Sequence, residues 1–171
     1  MRLSDVARDL ASLSKESFED RYGTRFLVCA ERSDAVAERV SRVQTRHADA
    51  PTPEGAGGRR SDGYLVLPIR KVRRTSFTTF ITVGRTPNND VVIPDAQVSG
   101  FHAVFREGEG SLLVQDGNSR NGTFVNGKPV PPQGQGEPVE VRPGAEVCFG
   151  PVRFVLLDEE GLRRFADGLD G

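Results

Sequence analysis

The feature that most limits what this chain can fold into is a series of short β-prone runs recurring roughly every ten residues through its C-terminal half. They lie at 64–69, 80–83, 91–93, 102–105, 112–115, 123–125, 139–141, 146–149 and 152–157, and Gly, Asn, Asp or Pro separates them. Runs this short cannot make helices of ordinary length, and no helical pattern stands between them. Strands joined by turns alone predict an antiparallel sandwich rather than a βαβ sheet. Asn126-Gly127 marks one tight turn, because both residues tolerate positive φ.

The chain ahead of this series has a different texture. Leu3, Val6, Leu10 and Leu13 recur at spacings of three and four, which places them on one helical face. A second segment begins at Ser14, carries Phe18 and Tyr22, and stops at Gly23. Phe26-Leu27-Val28-Cys29-Ala30 reads as a short strand, and Ser33-Asp34 as the cap of a helix bearing Val36, Val40 and Val43. The apolar face of the first helix has three candidate partners: the Val36 helix, the sandwich, or a second copy. Residues 48–63 hold no large apolar side chain, so they cannot offset their own ordering entropy and read as a linker. The expected organisation is a mainly helical region over 1–47, a linker over 48–63, a sandwich over 64–158 and a short helix or tail over 159–171.

Charge and cysteine content exclude several roles. The formal net charge is -1, so no general basic field draws in nucleic acid. Arg70-Lys71-Val72-Arg73-Arg74 is a dense basic cluster, best read as a charged edge that discourages mispairing. Cys29 and Cys148 lack metal-ligand or redox spacing and read as free thiols of a reducing compartment. The polar start Met1-Arg2-Leu3-Ser4-Asp5 is unlike a signal peptide, and no apolar run approaches a membrane span. The expected location is the cytoplasm. No nucleophile with a base, no metal set and no phosphate-cradling Gly-rich loop is apparent, so neither catalysis nor a cofactor is expected. Thr52 and Ser76 stand in contexts that suit phosphorylation, and His47 has no partner pattern.

Three small motifs stand between the strands: Gly84-Arg85, then Ser99-Gly100-Phe101-His102, then Asn118-Ser119-Arg120-Asn121-Gly122-Thr123. Loops of a sandwich gather at its ends, so these can meet. Their chemistry suits a phosphorylated side chain. Arg offers a planar, permanently charged fork, Ser a compact hydroxyl, and Asn a donor and acceptor for a peptide main chain. A phosphate brings three strong acceptor oxygens to such a set.

In their order and spacing, with Asn88-Asn89-Asp90 and Val91-Val92-Ile93 between them and Val125-Asn126-Gly127 after them, these motifs resemble the forkhead-associated (FHA) domain. The resemblance covers residues 64–158 and implies an all-β sandwich of eleven strands that binds phosphothreonine peptides, with no metal. It implies an adaptor in Ser/Thr kinase signalling, its partner a kinase or a kinase substrate. By position, Arg85 and Ser99 would hold the phosphate and Asn121 the peptide main chain. Gly84, His102 and Gly122 would support the loops, with His102 bracing the Ser99 loop from inside. Two positions depart from the family pattern. Gly100 stands where a side chain commonly contacts phosphate, and Arg120 stands where Thr is common. Arg120 is expected to replace in part the contact Gly100 lacks, by reaching the phosphate from the neighbouring loop. The competing reading is a phosphate-independent interaction or assembly module that keeps the fold and has lost the phosphate grip.

Overall fold

A computed structural model describes residues 1–30, 63–72, 79–108 and 111–169. The helix expected from Ser33 and nearly all of the linker lie outside these residues, as do His47, Thr52, Arg73, Arg74 and Ser76. Two helices open the chain, α1 (Leu3–Ser12) and α2 (Lys15–Tyr22). Strands β1 (Arg25–Ala30), β2 (Tyr64–Pro68), β3 (Phe80–Gly84), β4 (Val91–Val92), β5 (Ala103–Glu107) and β6 (Leu112–Asp116) follow. Then come β7 (Thr123–Val125), β8 (Lys128–Pro129), β9 (Val139–Val141), β10 (Glu146–Phe149), β11 (Val152–Asp158) and a last helix, α3 (Glu159–Asp167).

The strands form two sheets, ordered β2-β1-β11-β10-β7-β8 and β4-β3-β5-β6-β9. All neighbouring pairs whose register is resolved run antiparallel except β3 and β4, which are parallel because the intervening loop returns the chain in the same direction. The sandwich is therefore mostly antiparallel, and it reaches eleven strands only by taking β1 from the N-terminal region. β1 lies between β2 and β11, with Leu27 opposite both Leu67 and Leu156. Its place explains its composition: Phe26 and Val28 face one layer, Leu27 the other, and all three are buried. A strand covered on both faces reads as an unbroken apolar run.

Two apolar layers result. Between the sheets lie Leu27, Ile81, Val83, Phe105, Val114, Phe149 and Leu156, among others. Outside the six-stranded sheet, Leu3, Val6 and Leu10 of α1, Phe18 of α2, and Leu162 and Ala166 of α3 cover Phe26, Val28, Tyr64 and Val66. The α1 face thus takes the sandwich, of its three candidate partners. Helix ends follow local chemistry: Ser14 Oγ accepts from Ser17 N, Asp158 Oδ1 accepts from Gly161 N at 2.8 Å, and Gly23 ends α2 at φ 79°.

The basic cluster is partly absorbed into this frame. Arg70 donates to the carbonyls of Asp20 and Arg21 at the end of α2. Lys71 Nζ reaches Asp90 Oδ2 at 2.9 Å and Phe80 O at 2.8 Å. Neither side chain is a free surface cation. Cys29 and Cys148 are not joined in a disulfide. Burial pushes the Cys148 thiol up to about 12, so it does not ionise at neutral pH. No helix of the described residues is long and apolar enough to cross a membrane.

Candidate functional site

Three loops meet at one end of the sandwich: the residues after β3, those before β5, and those between β6 and β7. Arg85 N donates to Ser99 O at 2.9 Å, and Arg120 N donates to Ser99 Oγ at 3.0 Å. Ser99 therefore joins all three loops. Because its hydroxyl oxygen accepts from Arg120, its proton is left to donate to a ligand.

Arg85 is exposed, and its Nε donates to Val98 O at 3.2 Å. That bond steadies the guanidinium and leaves its two terminal nitrogens for other acceptors. Arg120 is also exposed. Among the described residues no carboxylate pairs with Arg85 or Arg120, so two cations flank Ser99 without compensation. Asn121 is half-buried, and its Nδ2 donates to Gln97 O at 2.8 Å. Its Oδ1 is thereby presented as an acceptor, the role needed to take a main-chain N–H.

His102 sits beneath these residues, fully buried. Ser99 N donates to its Nδ1 at 3.1 Å, so Nδ1 is unprotonated and the proton stands on Nε2. Nε2 donates to Gly122 O at 3.0 Å. One neutral ring thus ties the second loop to the third, and it packs edge-on against Phe149. Burial lowers its pKa below the ordinary imidazole value, partly opposed by the Gly122 carbonyl and Asp116.

The glycines of this end differ in purpose. Gly122 has φ 78°, a conformation side chains rarely adopt. Gly84 has no such constraint, and close packing excludes a side chain instead. A Cβ there would stand 2.3 Å from Gly100 O and 2.7 Å from Asn89 Nδ2. The reason for Gly84 is therefore the close approach of the second loop. We expect Gly84→Ala to lower stability by about 2 kcal/mol, as measured by denaturation. Gly100 is not so confined: a Cβ would meet Thr86 Cγ2 at 3.4 Å, an ordinary contact.

Four supporting residues had no assigned role in the sequence reading. Asn89, buried, donates through Nδ2 to Gly100 O at 2.6 Å and Thr86 O at 2.9 Å. Thr86 Oγ1 also donates to Gly100 O. Together they clamp the first loop to the second. Asp116, also buried, accepts from Ser119 Oγ, Ser119 N and Thr123 Oγ1, and so shapes the third loop. Gln97 holds Asn121. Asn88-Asn89-Asp90 stood in the sequence as a motif, but nothing local told which amide turned inward.

This chain is similar to several known proteins. The FHA domain family model matches residues 81–150. The oxoglutarate dehydrogenase inhibitor of Corynebacterium glutamicum is 40% identical over 125 residues, covering 71% of this chain and 83% of the inhibitor. An ABC transporter ATP-binding/permease protein of Mycobacterium tuberculosis is 30% identical over 133 residues, covering 74% of this chain. This chain spans only 15% of that protein's length. The glycogen accumulation regulator of Mycolicibacterium smegmatis is 38% identical over 76 residues, 44% of each protein. A crystal structure of the FHA domain of a Chlamydia trachomatis protein superposes with a TM-score of 0.48 at 20% identity, covering 79% of this chain and 98% of that one. Similarity to the inhibitor along most of its length, with the family match across the three loops, makes this chain a member of the forkhead-associated domain family.

Proposed function

We propose that this chain is a phosphothreonine-peptide-binding regulatory module whose ligand sits on Arg85, Ser99, Arg120 and Asn121. The observation that carries this reading is that main-chain hydrogen bonds tie two exposed arginines to Ser99, Arg85 N to its carbonyl and Arg120 N to its hydroxyl, whose proton is left to donate. A dianionic phosphate satisfies all three. Asn121 Oδ1 then accepts a main-chain N–H of the peptide. Phosphothreonine is a product of Ser/Thr kinases, so the partner is a kinase or one of its substrates, met in the cytoplasm. The names of two relatives, an inhibitor and a regulator, suit a non-catalytic role. The phosphate-independent alternative is less well supported, because Arg85 and Ser99 remain as phosphate donors and Asn121 Oδ1 remains as a main-chain acceptor. Titration with matched peptides, with and without phosphate on threonine, tests the reading. Equal binding of both would overturn it.

Gly100 and Arg120 are decided together. With no side chain at 100, the second loop lacks a phosphate donor, and Arg120 supplies one from the third loop. Arg120→Ala is expected to weaken phosphopeptide binding by about tenfold or more, the worth of one charge-assisted hydrogen bond. Because a Cβ at Gly100 would make only an ordinary contact with Thr86, Gly100→Lys in the Arg120→Ala background should restore much of the loss. Unchanged affinity in Arg120→Ala would remove Arg120 from the site.

A further inference from the structure

Few large apolar side chains are exposed among the described residues, and one of them stands on the rim of the candidate site. Phe101 is 45% exposed. It lies between Gly100 and His102, two residues from Ser99. Its ring rests on the backbone of Gly117, where a Cβ would stand 2.5 Å from Phe101 Cε1 and 2.9 Å from Cδ1. Gly117 N also donates to His102 O at 2.7 Å, which holds that backbone in place. Consecutive residues thus bridge the same two loops from opposite sides. His102 does so from inside through hydrogen bonds, and Phe101 does so from outside through a flat apolar contact. Alternation along the extended chain entering β5 produces this division.

The contact holds the ring on the Gly117 backbone while the residue as a whole stays exposed. Gly117 opens the loop that carries Arg120 and Asn121, so the ring lies against the same loop as the proposed phosphopeptide contacts. An extended peptide advances about 3.3 Å per residue, so a residue close to the phosphothreonine reaches the ring. We infer that Phe101 is a specificity-determining residue, an aromatic shelf that takes an apolar side chain of the bound peptide flanking the phosphothreonine. This inference rests on the phosphothreonine reading above. The shelf gives a preference that the phosphate donors cannot, because they act on the phosphorylated side chain and the main chain alone.

The test uses the full chain and phosphothreonine peptides of polar sequence, with one leucine moved through each flanking position, beside unphosphorylated counterparts. Leucine at one position is expected to tighten binding about fivefold to tenfold, the scale of one good apolar–aromatic contact. Phe101→Ser should abolish that gain while phosphate dependence persists. Phe101→Tyr should keep it. A flat leucine scan in the unaltered protein, or the same gain in Phe101→Ser, would overturn the shelf while phosphate dependence persisted. Equal binding of the unphosphorylated peptides would instead overturn the parent reading, and the shelf with it.

Discussion

Replacing Arg85 with alanine should reduce phosphothreonine-peptide affinity by about 100-fold or more while leaving the fold intact. The guanidinium offers two terminal nitrogens to the phosphate, and each charge-assisted hydrogen bond is worth roughly 1.5–3 kcal/mol. Every 1.4 kcal/mol is about tenfold in affinity. Stability should change little, because the side chain is exposed and its one hydrogen bond within the described residues is Nε to Val98 O. Calorimetric titration with a phosphorylated and an unphosphorylated peptide, alongside a denaturant melt, separates the two effects. Arg85→Lys should recover only part of the loss, since an ammonium is a point charge and cannot form the fork. Retention of full affinity in Arg85→Ala would place the ligand elsewhere.

The second large effect is expected at His102, and it falls on stability. His102→Ala leaves a cavity against Phe149 and orphans Ser99 N–H, a loss of about 3 kcal/mol. Gly122 O is spared, because Gly150 N also donates to it at 2.8 Å. A loss of that size lowers Tm by roughly 6–12 °C in a chain of this length. The pH dependence follows from the direction of the shift. The folded pKa is lowered, chiefly by burial, so the folded state holds His102 neutral where the unfolded chain would take a proton. Its contribution is complete above the unfolded value near 6.5 and is lost as pH falls from there through the lower folded value. Protonation also puts a hydrogen on Nδ1, against the Ser99 N–H it accepts, so phosphopeptide binding should weaken in the same window. Denaturant melts across that range should show this slope in the unaltered protein and its disappearance in His102→Ala. An unchanged slope in the variant would assign the pH dependence to other groups.

The sandwich was legible because each strand alternates or runs apolar according to the faces it buries, and because Gly, Asn, Asp and Pro mark the joints. The sequence reading missed β8, a two-residue pairing with exposed side chains and no hydrophobic signal. Arg85, Ser99 and Asn121 were legible as chemistry, since their types and order suit a phosphate. The clamp around Gly100 was not: Asn89 and Asp116 read as ordinary turn residues until their burial is known. Phe101 had the same ambiguity, because an aromatic before a strand is as often core as surface.

By itself the sequence determined the strand series, the helix-forming apolar spacing of α1 and the phosphate-suited residue types, all of which are local properties of side-chain period and chemistry. Only the tertiary structure decided that β1 completes the six-stranded sheet and that α1, α2 and α3 cover its outer face. It alone decided that Gly84 makes room for a carbonyl, and that His102 and Phe101 bridge the same two loops from opposite sides. Those outcomes depend on which distant segments touch. Contact between residues far apart in the chain follows from burial and packing summed over the whole molecule, which no local pattern encodes.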